Sequence, residues 1–199
     1  MTNTDFPDDK RIKSRPVYDP PDTLPKAGAY LCLAETGAVD MLAQRLRRLG
    51  DAQVDVLVCG DEGARAVAEL NLPGVVPRTC PSDGAARELS VRLEDTTLGW
   101  HLVVAGSEPF LWDIHGVALE HGLLEGEITL IPEARSHRRV FCAHCRAMTE
   151  PVTVSPATCH GCGLTLEVRD HFSRRLGAYL GVRIDAETPG EIPHEEVLN

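Results

Sequence analysis

The segment A-Y-L-C-L-A-E-T-G-A-V-D-M-L-A-Q-R-L-R-R-L-G-D-A-Q-V-D-V-L-V-C, residues 29–59, decides how the chain is read. Its ends, A-Y-L-C-L-A (29–34) and V-D-V-L-V-C (54–59), are short apolar runs of the kind found in buried strands. Between them Val39, Leu42, Leu46 and Leu49 recur at helical spacing, with Gln44, Arg45, Arg47 and Arg48 on other faces and Gly50 as a natural stop. The same alternation continues outward. Residues 61–71 predict a second helix through Ala64, Val67, Ala68 and Leu70, and V-V-P (75–77) a short third strand. Ala85, Leu89 and Leu93 place a helix over 82–94, followed by the strand H-L-V-V-A-G (101–106). Ser107 can cap a helix running to His121, with Glu108 and Pro109 in its first turn, and I-T-L-I-P (128–132) closes the series. Five strands alternating with four helices predict a parallel α/β sheet over 27–134.

The whole chain has 199 residues, 43% hydrophobic and 25% charged, enough to bury a real core. No run approaches the roughly 18 apolar residues needed to cross a bilayer. The start, M-T-N-T-D-F-P-D-D-K, lacks the apolar stretch of a secretory signal. Seven cysteines without an export signal point to a reduced, cytosolic setting, where clustered cysteines suggest metal or catalysis rather than disulfides. The formal charge of −10 argues against general nucleic-acid affinity, which needs a basic footprint. Charge is unevenly spread: residues 135–175 hold seven arginines against three acids, a net of +4, which leaves −14 elsewhere. Residues 1–26, with five prolines and five aspartates, read as an extended arm, either a solvated tail or a strap that orders on a partner. The acidic stretch 183–199 reads as a loose tail.

Within 138–182 lie C-A-H-C (142–145) and C-H-G-C-G (159–163), separated by 13 residues. Each C-x-x-C turn can point two thiolates at one ion, and two such turns make a tetrahedral sulfur site. Cys142, Cys145, Cys159 and Cys162 are therefore the expected metal ligands, with zinc first and iron in a rubredoxin-like site as the alternative. A closed four-thiolate zinc has no open position for substrate, so its expected role is to stabilise a module too small to fold alone. His144 and His160 sit inside the turns and are expected at the surface. Cys32 and Cys59 lie in apolar strands and read as buried fillers, and nothing places a base beside Cys80. The arginines near the quartet read as a solvated or protein-docking face, since no recognition helix and no row of stacking aromatics accompanies them.

The segment H-L-V-V-A-G-S-E-P-F-L-W-D-I-H-G-V-A-L-E-H-G-L-L-E-G-E-I-T-L-I-P-E (101–133) resembles the closing part of the nicotinamide-binding domain of ferredoxin-reductase-like flavoenzymes. There a strand ends in C-G-P-x-P-M; here the positions read Ala105, Gly106, Ser107, Glu108, Pro109 and Phe110. The resemblance implies the sheet order 3-2-1-4-5. It does not imply the chemistry. The family's cysteine is Ala105, and the first strand opens onto A-E-T-G-A-V (34–39), with one glycine and the carboxylate of Glu35 where a pyrophosphate turn would need several glycines. No cofactor-binding or catalytic residue is assigned to this chain.

Taken together, the α/β region, V-F-C-A-H-C-R-A-M-T (140–149), C-H-G-C-G (159–163) and L-E-V-R-D-H-F-S-R-R-L-G-A-Y-L-G-V (166–182) resemble the small subunit of bacterial dimethylamine monooxygenase. The resemblance implies a multi-subunit enzyme that uses NADPH and dioxygen to turn dimethylamine into methylamine and formaldehyde. It places flavin, an iron–sulfur centre and haem in reductase and oxygenase partners. This chain has no plant-type iron–sulfur spacing, so the implied role is docking and organising rather than catalysis. His171, Arg174, Arg175 and Tyr179 are the candidate partner contacts, because Arg and Tyr favour interface centres. Two other readings stand beside this one: a rubredoxin-like electron carrier, and a zinc-ribbon adaptor for protein or nucleic acid.

Overall fold

A computed structural model of the chain describes residues 14–18, 24–70, 75–94, 99–134 and 137–198. These fall into two compact units, one of residues 18–137 and one of residues 14–17 with 138–198.

The first unit runs β1 (Ala29–Glu35), α1 (Val39–Leu46), β2 (Gln53–Cys59), α2 (Gly63–Leu70), β3 (Arg78–Cys80), α3 (Ala85–Glu94), β4 (Trp100–Gly106), α4 (Glu108–Glu120) and β5 (Ile128–Pro132). The strands lie in the order β3-β2-β1-β4-β5 and every neighbouring pair is parallel. This is the expected order. Alternation along β1 explains why both faces are covered: Tyr30, Cys32 and Ala34 join α1 residues Val39, Leu42 and Leu46 in one apolar cluster. Leu31 and Leu33 join Leu89 of α3 and Leu111 and Ile114 of α4 in the other. Leu33, Leu42, Leu57, Leu89 and Leu111 are completely enclosed. Truncating any one to alanine would cost about 2–5 kcal/mol.

The third strand differs from expectation. Val75 to Pro77 are not in a strand; Arg78, Thr79 and Cys80 pair with Leu57, Val58 and Cys59. Proline has no N–H to give to a sheet, and Val76 is 85% exposed. Cys80 is thereby a strand residue.

The second unit contains β6 (Arg138–Cys142), β7 (Met148–Val152), β8 (Val154–Ser155), β9 (Ala157–Thr158), β10 (Thr165–Ser173), β11 (Ala178–Arg183) and β12 (Glu196–Val197). Five of these form a mixed sheet in the order β7-β6-β11-β10-β9, in which only β6 and β11 run parallel. Residues 171–182, amphipathic in sequence, are the end of β10, a tight turn and β11. β10 carries an irregularity between Val168 and Phe172 that leaves backbone groups unpaired in the ladder. Ser14 supplies partners there: its N–H donates to Asp170 O and its hydroxyl accepts from Phe172 N–H. Arg15 and the buried Arg138 both bind the Asp170 carboxylate, at 2.8 and 3.2 Å. Part of the N-terminal arm is thus fixed on its own chain. The tail read as loose is also engaged: Glu196 and Val197 of β12 pair with Ser155 and Val154 of β8, and Leu198 N–H donates to Thr153 O. Among the described residues no helix is long and apolar enough to cross a membrane.

Candidate metal centre

The two cysteine turns are built alike. In the first, Cys142 ends β6, its N–H donates to Ala147 O, and Arg146 N–H donates back to Cys142 O. In the second, Cys159 N–H donates to Leu164 O and Gly163 N–H donates to Cys159 O. The residue after each second cysteine is left-handed, Arg146 at φ 64° and Gly163 at φ 72°. That conformation reverses the chain tightly enough to aim both thiols of a pair inward. Gly161 is needed for a different reason. A Cβ there would lie 2.5 Å from the Ala147 side chain and 3.1 Å from Cys145 Sγ, so only hydrogen fits where the turns meet. Thr149, buried on β7, accepts from His160 N–H at 3.1 Å and ties the second turn to the sheet.

The four Sγ atoms all lie within 4.8 Å of one another. Cys142 and Cys162 are 3.9 Å apart, Cys145 and Cys159 3.6 Å. A tetrahedral ion with metal–sulfur bonds of about 2.3 Å sets sulfurs about 3.8 Å apart, so the donor set fits such an ion. Two of the thiols are shifted in opposite directions. Burial raises the Cys159 thiol, but the N–H groups of Cys162 and Gly161 and the neighbouring thiols outweigh it and lower it to about 6. Cys162 gains an N–H from Leu164, yet burial and the three other thiols push it up to about 12. The Cys159 thiolate thus forms easily while Cys162 holds its proton, and a dication would favour the thiolate at both by replacing the protons. Cys142 and Cys159 are buried, Cys162 is half-buried and Cys145 is exposed. His144 and His160 are both exposed, outside the sulfur cage.

The other residues singled out in sequence separate into two groups. His171, Arg174 and Arg175 are exposed on the β10–β11 hairpin. Tyr179 is 3% exposed, stacked edge-on against Phe172 with the Arg138 guanidinium 4.2 Å over its ring, so it is a packing residue rather than a surface contact. Its inward direction follows from the strand pairing Phe172 with Tyr179.

At the carboxyl ends of the parallel strands, between β1 and β4, the chain fills its own crevice. Such a switch point is where doubly wound sheets take ligands, with anions on the helix N-terminus. Here the Glu35 carboxylate accepts from Ser107 N–H at 2.5 Å, at the cap of α4, where Ser107 itself makes no side-chain cap. Gly106 permits this: a Cβ there would lie 2.6 Å from Glu35 Oε2 and 2.9 Å from Phe110. Glu133 sits nearby, packed against Gly37, and burial followed by the Glu35 charge raises its carboxyl despite the opposing His137. A cavity of ≈ 360 Å³ remains, lined by Thr36, Gly37, Glu62, Arg65 and Ala66. The capping role of Glu35 was not legible in sequence, although its position at the end of the first strand marked it as hostile to a phosphate.

A doubly wound α/β unit capped by its own carboxylate is joined in one chain to a mixed sheet that carries a four-cysteine cage. The particular family follows from comparison. Residues 10–128 match the family described as "Dimethylamine monooxygenase subunit DmmA-like, N-terminal domain", and residues 139–182 match the corresponding C-terminal domain. The chain belongs to this dimethylamine monooxygenase subunit family. It is similar to the "Heme-dependent oxidative N-demethylase delta subunit" of Ectopseudomonas mendocina (strain ymp), with 34% identity over 176 residues, 88% of this chain and 91% of that protein. No solved structure matches the chain.

Proposed function

We propose that this chain is the organising subunit of a multi-component amine monooxygenase in the cytosol, which uses NADPH and dioxygen to demethylate dimethylamine to methylamine and formaldehyde. The observation that carries the reading is the pairing of a four-thiolate cage with a crevice whose anion position is taken by Glu35. Zinc is the expected ion at Cys142, Cys145, Cys159 and Cys162. Four thiolates leave it no open position, so it fastens the two turns and takes no part in the reaction. The α/β unit is read as a reductase-type nicotinamide domain that kept its sheet order and lost its ligand. Haem, flavin, the iron–sulfur centre and NADPH then belong to partner subunits. The relative named as a delta subunit supports the existence of such partners. His171, Arg174 and Arg175 are the surface offered to them, with Tyr179 supporting the hairpin from beneath through Phe172.

A second reading places iron in the same cage and makes the chain an electron carrier. The exposure of Cys145 favours it, since a metal near the surface can exchange electrons with a docked protein. A nucleic-acid adaptor is disfavoured by the net charge of −10. The test is reconstitution. The full chain is co-expressed with the oxygenase and reductase chains, and both co-purification and formaldehyde formation are followed with and without it. Activity that needs this chain, and association weakened by salt and by Arg174→Ala with Arg175→Ala, supports the proposal. Partners that assemble and form formaldehyde at full rate without this chain would overturn it.

A further inference from the structure

We propose that Cys59 and Cys80 are a redox-responsive dithiol that hydrogen peroxide closes to a disulfide, tying the edge strand β3 to β2. The two residues are direct partners in the parallel register of these strands, and their sulfurs are 3.5 Å apart. Neighbouring strands lie about 4.8 Å apart, inside the Cα separation of about 4.4–6.8 Å that a disulfide tolerates. The sulfurs need only approach by about 1.5 Å to reach bonding distance. β3 is three residues long and, among the described residues, is paired on one side only, so it is the strand best able to give way. Gly60 N–H already donates to Cys80 O at 2.9 Å, which holds the two strand ends in line. Cys32 is no competitor, because it faces the opposite apolar cluster.

The chemistry balances with peroxide as oxidant. Cys80, the less buried of the pair, attacks one peroxide oxygen, the O–O bond breaks, and a sulfenic acid and a first water form. Cys59 sulfur then displaces the hydroxyl from Cys80, forming the S–S bond and a second water. Two S–H bonds and one O–O bond are lost, and the two electrons leaving sulfur reduce the peroxide. Burial pushes both thiols up, with the Arg92 guanidinium pulling the other way, so the first step is slow, while the 3.5 Å separation lets Cys59 capture the sulfenic acid as soon as it forms.

The test uses the metal-loaded full-length chain. It is treated with hydrogen peroxide, unfolded in urea with iodoacetamide, and digested by trypsin without reductant. Cleavage at Arg48, Arg65, Arg78 and Arg87 puts Cys59 and Cys80 on separate peptides, 49–65 and 79–87. The expected result is a linked pair, two hydrogens lighter than its parts, released by dithiothreitol and lost in Cys80→Ser. Oxidation should also raise the thermal midpoint of the wild-type chain, and dithiothreitol should reverse the rise. Recovery of both peptides singly alkylated or singly over-oxidised would overturn the proposal. So would disulfides confined to the quartet while Cys59 and Cys80 stay free.

Discussion

The matched construction of the two cysteine turns allows a paired perturbation, Arg146→Gly and Gly163→Ala. Both positions are left-handed and both donate the same closing hydrogen bond to the first cysteine of their turn. Left-handed backbone costs a residue with a Cβ roughly 1–2 kcal/mol. Glycine avoids that strain but frees the unfolded chain, which offsets about 0.4–1 kcal/mol. The net is about 1 kcal/mol, favourable for Arg146→Gly and unfavourable for Gly163→Ala. A methyl group at residue 163 would meet nothing within 4 Å, so only the backbone contribution applies there. Because the turns must close for the sulfurs to converge, folding and metal binding share this energy. A difference of about 1 kcal/mol is about fivefold in affinity. Competition with a chromogenic chelator should therefore find zinc held about fivefold tighter by Arg146→Gly and about fivefold weaker by Gly163→Ala. Equal affinities, or weaker binding by Arg146→Gly, would mean that left-handed strain does not limit closure of the turns.

Three further outcomes follow from the geometry. Gly161→Ala should weaken metal binding more than Gly163→Ala, because its Cβ would overlap the Ala147 side chain at 2.5 Å; the same competition assay checks it. Glu35→Ala removes a carboxylate hydrogen bond at the start of α4 and should lower the stability of the α/β unit by about 2 kcal/mol, while Glu35→Gln, which keeps an acceptor, should lose less. Urea unfolding followed by tryptophan fluorescence reads this unit, since Trp100 and Trp112 both lie in it. Glu133 has its carboxyl raised in the folded chain, first by burial and then by Glu35, so the folded state holds that proton longer than the unfolded one. Its stabilising contribution is present below the ordinary value of 4.5 and is lost as pH rises through the raised value. Glu133→Gln should therefore be more stable than the parent at neutral pH, with the difference closing towards pH 4.5, and a less stable variant at neutral pH would count against this account.

Spacing and periodicity carried the reading where a single physical constraint dominates. Two C-x-x-C turns admit few arrangements, and the structure does bring Cys142, Cys145, Cys159 and Cys162 together. Apolar runs bounded by amphipathic helices likewise fixed the parallel sheet. Legibility ended where pairing rather than pattern decides. Arg78-Thr79-Cys80 is polar at two of three positions, yet it is the strand, because its backbone can pair with β2 while Pro77 cannot donate. Tyr179 looked like a surface contact beside Arg174 and Arg175, but the Phe172–Tyr179 register turns it inward under Arg138. Glu35 caps a helix that begins more than seventy residues later, a long-range contact that no local pattern encodes. Arg146 takes a left-handed position that glycine fills in the second turn, and an arginine there gives no sign of it in sequence.

We propose that the four-thiolate site is structural and that no electron passes through it. Elemental analysis of the purified chain, with a visible spectrum of the same sample, tests it most directly. The expected result is about one zinc per chain, the stoichiometry of a single tetrahedral thiolate site, and no visible bands. Iron at that level, with thiolate charge-transfer bands that bleach on reduction, would contradict it and make the chain an electron carrier.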